Sequence, residues 1–364
     1  MNRILFLGDF FYDFDTIKDD IKEIGNFIKS RNYLTILNLE CSLVSSESLL
    51  KKGGPNLCSS PITVDILKQL NVICVTMANN HSMDYGKEGL MKTISLLDGA
   101  GIAHVGAGTD LEQALEPAIF NLHDGIVLLN YGWDIEETVY AGRQRAGCAP
   151  RTDGVIVEKI RETRSSYPGY KIIVLVHMGF EFNPYPMPFD IDLAHRCIDF
   201  GADLVIGHHP HIIQPKEVYK GKNIYYSLGN FYFGKRRDDF TKTFHAMKVE
   251  NLCDYGLGVE YDISSRLCKN IIFEYDKHKG LSHIKNDDCF VEDISEWDCF
   301  GEEYRQLCKK SSENWNPILG VDPQENRRLL RPFLMKRRIG KSISFMKKNT
   351  VGRKLYYTIK RIST

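Results

Sequence analysis

The sequence predicts an α/β fold, and three observations carry this prediction. The first 230 residues alternate short β-branched or aliphatic runs with amphipathic stretches, the pattern of strand–helix–strand units around a largely parallel sheet. Hydrophobic residues make up 43% and charged residues 26% of the 364 positions, which are ordinary values for a folded globular protein. Short polar segments follow several of the predicted strands, as expected where the ends of strands carry a ligand site.

Six segments are predicted as strands because they are short, rich in β-branched or aliphatic residues and bounded by turn residues. They are Arg3 to Leu7, Leu34 to Asn38, Val72 to Thr76, Ile126 to Asn130, Lys171 to Val176 and Asp203 to Ile206. Amphipathic periodicity predicts helices between them. The helices are expected at 16–30, 61–69, 87–99, 153–165 and 188–200.

The region from Asn223 to Glu274 is expected to form antiparallel strands of a second sheet. Its runs alternate apolar and polar residues, which is typical of antiparallel strands with one face in water. The residues that follow are polar and mixed, and predict a loosely helical connection. The sequence therefore divides into a domain at 1–275, a connecting segment at 276–326 and a tail at 327–364.

The N-terminus and the cysteines predict a cytoplasmic protein. The apolar run before Gly8 and Asp9 is too short for a secretory signal, and no stretch reaches the roughly 18 apolar residues that a spanning helix needs. The ten cysteines include no C-x-x-C pair, which favours reduced thiols in a reducing compartment.

The tail is strongly basic. Residues 327–364 contain 13 Lys and Arg and no acidic residue, whereas residues 1–326 contain 34 basic and 47 acidic residues. Apolar residues recur there at helical spacing beside positive charges, at Val351, Leu355, Ile359 and Ile362. Such a basic amphipathic helix could bind an anionic membrane at its inner face, bind a partner, dock on the acidic body or remain a solvated end. Nucleic acid ranks last, because nothing resembling a nucleic-acid-binding fold precedes it.

Five polar segments carry the candidate chemistry. They are GD at 8–9, NLE at 38–40, ANNHSMDYG at 78–86, HMGFE at 177–181 and GHHPH at 207–211. Carboxylate oxygens, amide oxygens and imidazole nitrogens together suit Mn²⁺, Fe or Zn²⁺, and no clustered thiol set is present. The sequence predicts a site for one or two divalent ions. The remaining histidines are isolated and are expected to be structural, at positions 104, 123, 195, 245, 278 and 283.

The order of these segments resembles the motif series of calcineurin-like metallophosphoesterases, in which loops after successive strands hold two bridged metals. The individual sequence motifs are similar to those of the capsule-synthesis CapA family, or poly-gamma-glutamate synthesis proteins, over about residues 1–275. The matching words are NLE, ANNH, HMGFE, GADLVIGHHPHIIQP and IYYSLGNFYF. The resemblance implies a four-layer metallophosphoesterase sandwich with mixed sheets flanked by helices, here followed by the basic helical tail.

The resemblance also implies metal ligands at six positions, which are Asp9, Glu40, Asn80, His177, His209 and His211. The first and last of these would serve one metal, Glu40 would bridge two, and the other three would serve the second.

Further roles implied by the resemblance concern the substrate. His81 follows the metal-binding Asn80 and would contact the scissile phosphate and assist the leaving group, with Asp84 orienting it. From its own segment, and not from the resemblance, Glu181 is predicted to contact the substrate or a metal ligand, and His208 to contact the substrate. The alternatives are an ordinary exposed carboxylate for Glu181 and a packing or capping residue for His208.

Two positions depart from the phosphoesterase pattern. The first strand usually reads D-x-H, whereas Asp9 is followed by Phe10 and Phe11, so one imidazole of the first metal site is missing. The bridging carboxylate is Glu40, one methylene longer than the more common Asp. The first metal site is therefore expected to be weaker, differently ligated or empty, with Glu181 or a water filling in.

These features predict a metal-dependent, hydrolase-type enzyme in the synthesis of capsule, poly-gamma-glutamate or exopolysaccharide. Its substrate would be a phosphorylated small molecule or an anionic polymer, because the same site can hydrolyse a phosphate ester or polarise a carboxylate, carbonyl or acyl phosphate. The alternative is a non-catalytic, metal-binding or scaffolding component of a cell-surface polymer assembly. The missing first-strand imidazole favours this alternative, and the retained histidines favour the enzyme.

Overall fold

The computed structural model describes residues 3–13, 16–44, 56–122, 124–133, 138–234, 253–276, 280–284 and 291–313. The chain divides into two compact units, Met1–Cys308 and Lys309–Thr364. The tail predicted at 327–364 lies outside the described residues.

The described residues include eighteen strands. They are β1 (Arg3–Phe11), β2 (Leu34–Leu39), β3 (Ser42–Leu43), β4 (Cys58–Ser59), β5 (Val72–Thr76), β6 (Ala103–Val105), β7 (Ala107–Gly108), β8 (Ala118–Phe120), β9 (Ile126–Gly132), β10 (Gly147–Cys148), β11 (Lys171–His177), β12 (Leu204–His208), β13 (Lys216–Tyr219), β14 (Lys222–Tyr225), β15 (Asn230–Phe233), β16 (Tyr255–Asp262), β17 (Cys268–Asp276) and β18 (Gly280–Ile284).

Seven helices lie within the same described ranges. They are α1 (Asp19–Ser30), α2 (Ile62–Gln69), α3 (Gly86–Gly99), α4 (Leu111–Ala114), α5 (Asp153–Ser166), α6 (Pro188–Asp199) and α7 (Glu302–Glu313). The five helices and six strands predicted from periodicity are therefore confirmed, with boundaries that differ by a few residues. The strands β1, β11 and β12 extend beyond the predicted ends and carry Asp9, His177 and His208 into the sheets.

Two large sheets form the body of the first unit. One sheet has the order β18-β17-β16-β1-β2-β5-β6, with β15 also paired to β1, and the other has the order β13-β14-β12-β11-β9-β8. The strands β1, β2, β5 and β6 are parallel, as are β9, β11, β12 and β14. The carboxyl ends of these parallel strands therefore lie together at one edge of each sheet.

Side chains along the central strands point alternately to the two faces of each sheet, so the buried residues form three hydrophobic cores. In β1, Ile4 and Phe6 contribute to the core between the sheets, while Leu5 and Leu7 pack on the side of α1, α2 and α3. In β11, Ile173 likewise joins the inner core, and its neighbours pack on the side of α5 and α6. Because successive strand residues point to opposite faces, both sheets are covered on both sides. The predicted four-layer sandwich of mixed sheets flanked by helices is confirmed.

The expectation for residues 223–274 was partly wrong. These residues do not form one separate antiparallel sheet: β14 joins the six-stranded sheet in parallel with β12, and β15 runs parallel to β1 in the other. The strands β16 and β17 are antiparallel, as predicted, but β16 is buried along most of its length. Both faces of β16 are covered by other parts of the protein, so the strand lacks the water-exposed face that its alternating apolar and polar residues predicted.

The first compact unit extends past the expected boundary at residue 275. The strand β18 pairs with β17, and a segment after it contributes buried residues to the cores, among them Val291, Ile294, Cys299 and Tyr304. Polar residues of this segment face water, so its composition resembles that of a linker although its apolar residues complete the domain.

The chain crosses from one sheet to the other through a narrow passage between β1 and β12. A Cβ atom on Gly8 would lie 2.0 Å from the carbonyl oxygen of Gly229, and one on Gly207 would lie 1.9 Å from that of Tyr226. The Asp9 amide donates to the Gly229 carbonyl across this passage at 2.9 Å. The close approach requires glycine on both strands, directly beside the polar residues that follow them.

We predict that Gly207→Ala destabilises the protein by about 3 kcal/mol, because the added methyl group would overlap a backbone carbonyl that cannot move without opening the sheet. Urea denaturation followed by circular dichroism measures the change. Gly99→Ala at the end of α3 is the matched control, since nothing lies within 4 Å of its added Cβ, and its effect should stay within about 1 kcal/mol. Equal stability of the two variants would contradict the proposed role of the passage.

Candidate metal centre

The six predicted metal ligands come from the carboxyl ends of strands in both sheets. Asp9 lies in β1 and Glu40 directly follows β2 in the first sheet, while Asn80 lies in the loop after β5. His177 is the last residue of β11 in the second sheet, and the other two histidines follow β12. The site therefore forms only where the two sheets pack together.

The structure brings these residues into overlapping groups of potential ligand atoms, each group lying within 4.8 Å. The groups are Glu40 with His177 and His209, Asp9 with Glu40 and His211, and Glu181 with His209 and His211. Glu40 belongs to two groups, one on each side of the site, which is the arrangement expected of a bridging carboxylate.

The Glu40 carboxylate lies between imidazoles of the second sheet. Its Oε1 atom is 3.7 Å from His177 Nε2 and 3.6 Å from His211 Nε2. Asn80 Oδ1 lies 3.1 Å from the same Nε2 atom of His177. An amide oxygen, a carboxylate oxygen and an imidazole nitrogen thus converge at separations that adjacent ligands of one divalent ion have.

Asp9 is completely buried and strongly favours its charged form. Burial alone would raise its pKa, but the hydrogen bond and charge of His211, together with the charges of neighbouring histidines, hold the pKa of Asp9 well below its usual range. His211 Nδ1 is 3.4 Å from Asp9 Oδ2, and the backbone amide of His209 donates to the same oxygen at 3.2 Å. Asp9 is therefore a buried anion held by the loop of the opposite sheet.

The donor set fits a divalent cation. Burial, followed by the charge of His209, holds the pKa of His177 well below its ordinary value, so this imidazole is neutral near pH 7, the form that ligates metals. Asp9 and Glu40 are both buried and form their ion pairs with histidine rings. A bound divalent cation would balance the charge of two buried carboxylates.

Asn38 is a site residue to which the sequence analysis gave no role. Its amide nitrogen donates to Asp9 Oδ1 at 2.8 Å and to Glu40 Oε2 at 3.3 Å, so it orients both carboxylates. Asn79 in turn donates to Asn38 Oδ1 at 3.0 Å and fixes the direction of the amide. The signal was present in the NLE segment, because residues two apart on a strand share a face.

The loop after β12 has an unusual backbone. His209 has a φ of 104° and His211 a φ of 57°, both in the left-handed region that non-glycine residues seldom adopt. Such conformations cost about 1 to 3 kcal/mol each and persist where surrounding contacts enforce them. Here they direct both imidazoles toward the carboxylates.

Asn230, the first residue of β15, contacts one of the predicted ligands. Its Oδ1 atom is 2.9 Å from His211 Nδ1. A hydrogen on Nδ1 donated to this amide leaves the Nε2 lone pair directed at Glu40. Asn230 thus orients a predicted ligand, and it reaches this position because β15 pairs with β1 beside Asp9.

His81 and Asp84 form a buried pair beside the ligand Asn80. The distance from His81 Nδ1 to Asp84 Oδ2 is 2.7 Å, and the backbone amide of Leu57 donates to the same carboxylate oxygen at 2.6 Å. Asp84 is therefore fixed independently of His81 and lies where it can orient the ring; its catalytic role remains a prediction. The contact thus engages the Nδ1 atom of the His81 ring.

The two predicted substrate contacts lie in different surroundings. Glu181 is partly exposed and its Oε1 atom is 3.9 Å from His211 Nε2, at the edge of the ligand cluster. His208 is buried, and its Nε2 atom is 3.2 Å from the backbone carbonyl of Leu7. This contact ties β12 to β1 and is a packing role. A substrate contact of His208 remains a prediction that its surroundings do not support.

Three of the isolated histidines have structural contacts, as expected. His104 pairs with Asp98 at 3.6 Å, His195 with Glu217 at 2.7 Å, and His283 stacks on the ring of Phe27. The other three, at positions 123, 245 and 278, lie outside the described residues.

Sequence comparison identifies similar proteins. A family model described as bacterial capsule synthesis protein PGA_cap matches residues 3–235. The PGA biosynthesis protein CapA of Bacillus subtilis is 32% identical over 51% of this chain and 50% of its own length. The capsule biosynthesis protein CapA of Bacillus anthracis is 27% identical over 73% and 69%, respectively. A probable polyglutamine synthesis accessory protein of Mycobacterium tuberculosis is 33% identical over 54% of each chain. The chain thus spans about half the length of two of these relatives.

Two solved structures are similar over much of the chain. The NAD nucleotidase of Haemophilus influenzae has 13% identity and a TM-score of 0.43, covering 86% of this chain and 60% of that one. The 5'-nucleotidase of Candida albicans has 12% identity and a TM-score of 0.45, covering 85% and 57%. Both likenesses are distant.

We predict that the purified protein, reloaded with Mn²⁺ or Zn²⁺, holds at least one ion per chain, because Glu40, Asn80, His177 and His209 supply a nearly complete ligand set. Elemental analysis after dialysis measures the ion content. His209→Ala should lower it, whereas His283→Ala, outside the cluster, should leave it unchanged. Less than about a tenth of an equivalent in the wild-type protein would refute the metal site.

Proposed function

The chain belongs to the bacterial capsule synthesis protein PGA_cap family, and on that basis we propose that it is a metal-dependent, hydrolase-type enzyme in the synthesis of capsule, poly-gamma-glutamate or another cell-surface polymer. The proposal that the protein is an enzyme rests mainly on the position of the Glu40 carboxylate. Its Oε1 atom lies within 3.7 Å of the imidazoles of both His177 and His211. A shared carboxylate between two donor groups supports a centre for two ions. Its substrate class would be a phosphorylated small molecule or an anionic polymer.

Two divalent ions at this centre would clamp an oxyanion and supply hydroxide near neutral pH. The residues of the chain prepare the site for that chemistry. Asn38 holds the carboxylates of Asp9 and Glu40 in fixed directions through hydrogen bonds of 2.8 and 3.3 Å. Because both carboxylates are buried, water competes little with an anionic group of the substrate for the centre.

His81 is proposed to transfer a proton to the leaving group. Asp84 accepts from Nδ1 at 2.7 Å, which stabilises the imidazolium and leaves the Nε2 proton for an oxygen of the departing group. The Leu57 amide, bonded to the same carboxylate oxygen, keeps Asp84 in place while the ring changes charge. After the step the imidazole is neutral and the leaving group carries the proton.

A second candidate function is a non-catalytic, metal-binding or scaffolding component of a cell-surface polymer assembly. One observation favours it: the residue two positions after Asp9 is Phe11, whose buried ring packs against Phe233 in the outer core. That position cannot ligate a metal. Turnover by the metal-loaded protein distinguishes the two candidates.

We expect His81→Ala to lower the release of inorganic phosphate from an alkyl phosphate monoester, such as glycerol phosphate, by the Mn²⁺-loaded protein about 10²- to 10⁴-fold while its metal content stays intact, since His81 protonates an alkoxide leaving group. Colorimetric turnover and elemental analysis are measured on the same samples. His209→Ala is the comparison and should lose both activity and metal. Equal metal loss in the two variants would contradict the role assigned to His81, and a wild-type protein that binds metal without turnover would favour the scaffolding function.

The location of the protein is also a proposal. Within the part of the chain that the structure describes, every helix is too short or too polar to cross a membrane. Residues 327–364 carry 13 positive charges and no negative one, which supports a cytoplasmic protein attached to the inner face of an anionic membrane.

The full chain should therefore sediment with phosphatidylglycerol vesicles at low salt, because each basic residue near an anionic surface contributes about 1 kcal/mol. A chain truncated after Gln324 should stay in the supernatant, and added salt should release the full chain. Neutral phosphatidylcholine vesicles serve as the control. If the intact protein stays in the supernatant with anionic vesicles at low salt, the membrane surface is ruled out as a partner.

A further inference from the structure

The donor group on the His211 side of the centre is incomplete. It contains Asp9, Glu40 and His211, and so only one imidazole. The strand β1 continues through Phe11, which pairs in register with Phe233 of β15, so the first strand offers no further ligand after Asp9. An ion on this side needs another donor from elsewhere in the chain or from solvent.

Glu181 lies where such a donor is needed. Its Oε1 atom is 3.9 Å from His211 Nε2, the nitrogen that is also 3.6 Å from Glu40 Oε1. Because Asn230 Oδ1 lies 2.9 Å from the other ring nitrogen, Nε2 is the atom left for an ion. The carboxylates of Glu40 and Glu181 therefore both approach the metal-binding nitrogen of His211.

The loop that carries Glu181 is fixed to the loop that carries the histidines. The backbone amide of Phe182 donates to the Pro210 carbonyl at 2.8 Å, between His209 and His211 in the chain. The Gln214 side chain donates to the Asn183 carbonyl at 2.7 Å. Glu181 is thus held by backbone contacts on its C-terminal side and is not an arbitrary surface carboxylate.

The conformation of Phe182 strengthens this placement. Its φ is 58°, in the left-handed region, and its side chain is buried with the ring centroid 5.9 Å from that of His211. A buried aromatic ring enforces a backbone geometry that a bulky residue would otherwise avoid. The same packing fixes the direction of the preceding residue, Glu181.

We propose that Glu181 is a metal ligand that replaces the imidazole missing from the first strand, a deepening that rests on the function proposed above. The ion beside His211 would then be held by Asp9, Glu40, Glu181 and His211; His209, which also lies within 4.8 Å of the ligand atoms of Glu181 and His211, is assigned to the other ion. The other ion has an amide oxygen and two imidazoles in addition to Glu40.

The two sites are therefore chemically unequal. A set dominated by carboxylate oxygens favours a hard ion such as Mn²⁺ or Mg²⁺, whereas the set with two imidazoles also suits Zn²⁺ or Fe. Glu181 retains 21% of its side-chain exposure, while the side chains of Asp9 and Glu40 are fully buried. The oxygen-rich site is thus the one nearer to solvent, and its ion should exchange more readily.

The test is a Mn²⁺ titration of the metal-free full-length protein by calorimetry, with low-temperature electron paramagnetic resonance on the same samples. The wild type should bind two ions and give the spectrum of an exchange-coupled pair. Glu181→Gln, which keeps the size and polarity of the side chain, should weaken the second ion by more than about 100-fold and leave the six-line signal of an isolated Mn²⁺. Glu162→Gln on the exposed surface of α5 is the matched control and should behave as the wild type.

Each outcome decides the inference. Two ions bound by Glu181→Gln with wild-type affinity, or a wild type that binds a single ion, would overturn the role of Glu181 and leave the metal-dependent function standing. A wild type that binds no ion would overturn the proposed function as well. His177→Ala serves as the complementary variant, because it should lose the imidazole-rich ion and retain the one held by Glu181.

Discussion

The burial of two carboxylates, Asp9 and Glu40, is the constraint on which the rest of the centre depends. A carboxylate removed from water is tolerated only when hydrogen bonds and positive charge surround it. Asn38 supplies hydrogen bonds to both, and the histidines of the second sheet approach the remaining oxygens. The chain thereby assembles a buried cluster of carboxylates and imidazoles whose carboxylates divalent cations would balance.

This constraint connects the fold to the site. The carboxylates come from the first sheet and His177 and the two following histidines from the second, so neither sheet forms the centre alone. The narrow passage between β1 and β12 lets the two sheets lie close together, since Gly8 and Gly207 allow the crossing chain to approach their backbones closely. The crossing chain then delivers Asn230 to the ring of His211. The contacts that pack the two sheets together therefore also orient the predicted metal ligands.

Phe11 occupies the first-strand position where an imidazole was expected, and aromatic packing takes the place of a ligand there. Phe11 and Phe233 fill the outer core, and Phe233 also contacts the edge of the His211 ring, with centroids 4.9 Å apart. Aromatic packing thus supports a histidine where related sites would use a ligand. The loop bearing Glu181 also approaches this ring, with Glu181 Oε1 3.9 Å from His211 Nε2.

The sequence by itself determined the local elements and the chemistry of the donors. Periodicity within short windows located the five predicted helices and six strands, and the residue types of the polar segments identified Asp9, Glu40 and the histidines as a potential metal set. Tertiary structure decided what depends on contacts between distant segments. The parallel pairing of β15 with β1, the support of two carboxylates by Asn38 and the approach of Glu181 to His211 arise only when two sheets meet. A periodic pattern records which face of a strand is buried, but it carries no information on which remote segment covers that face.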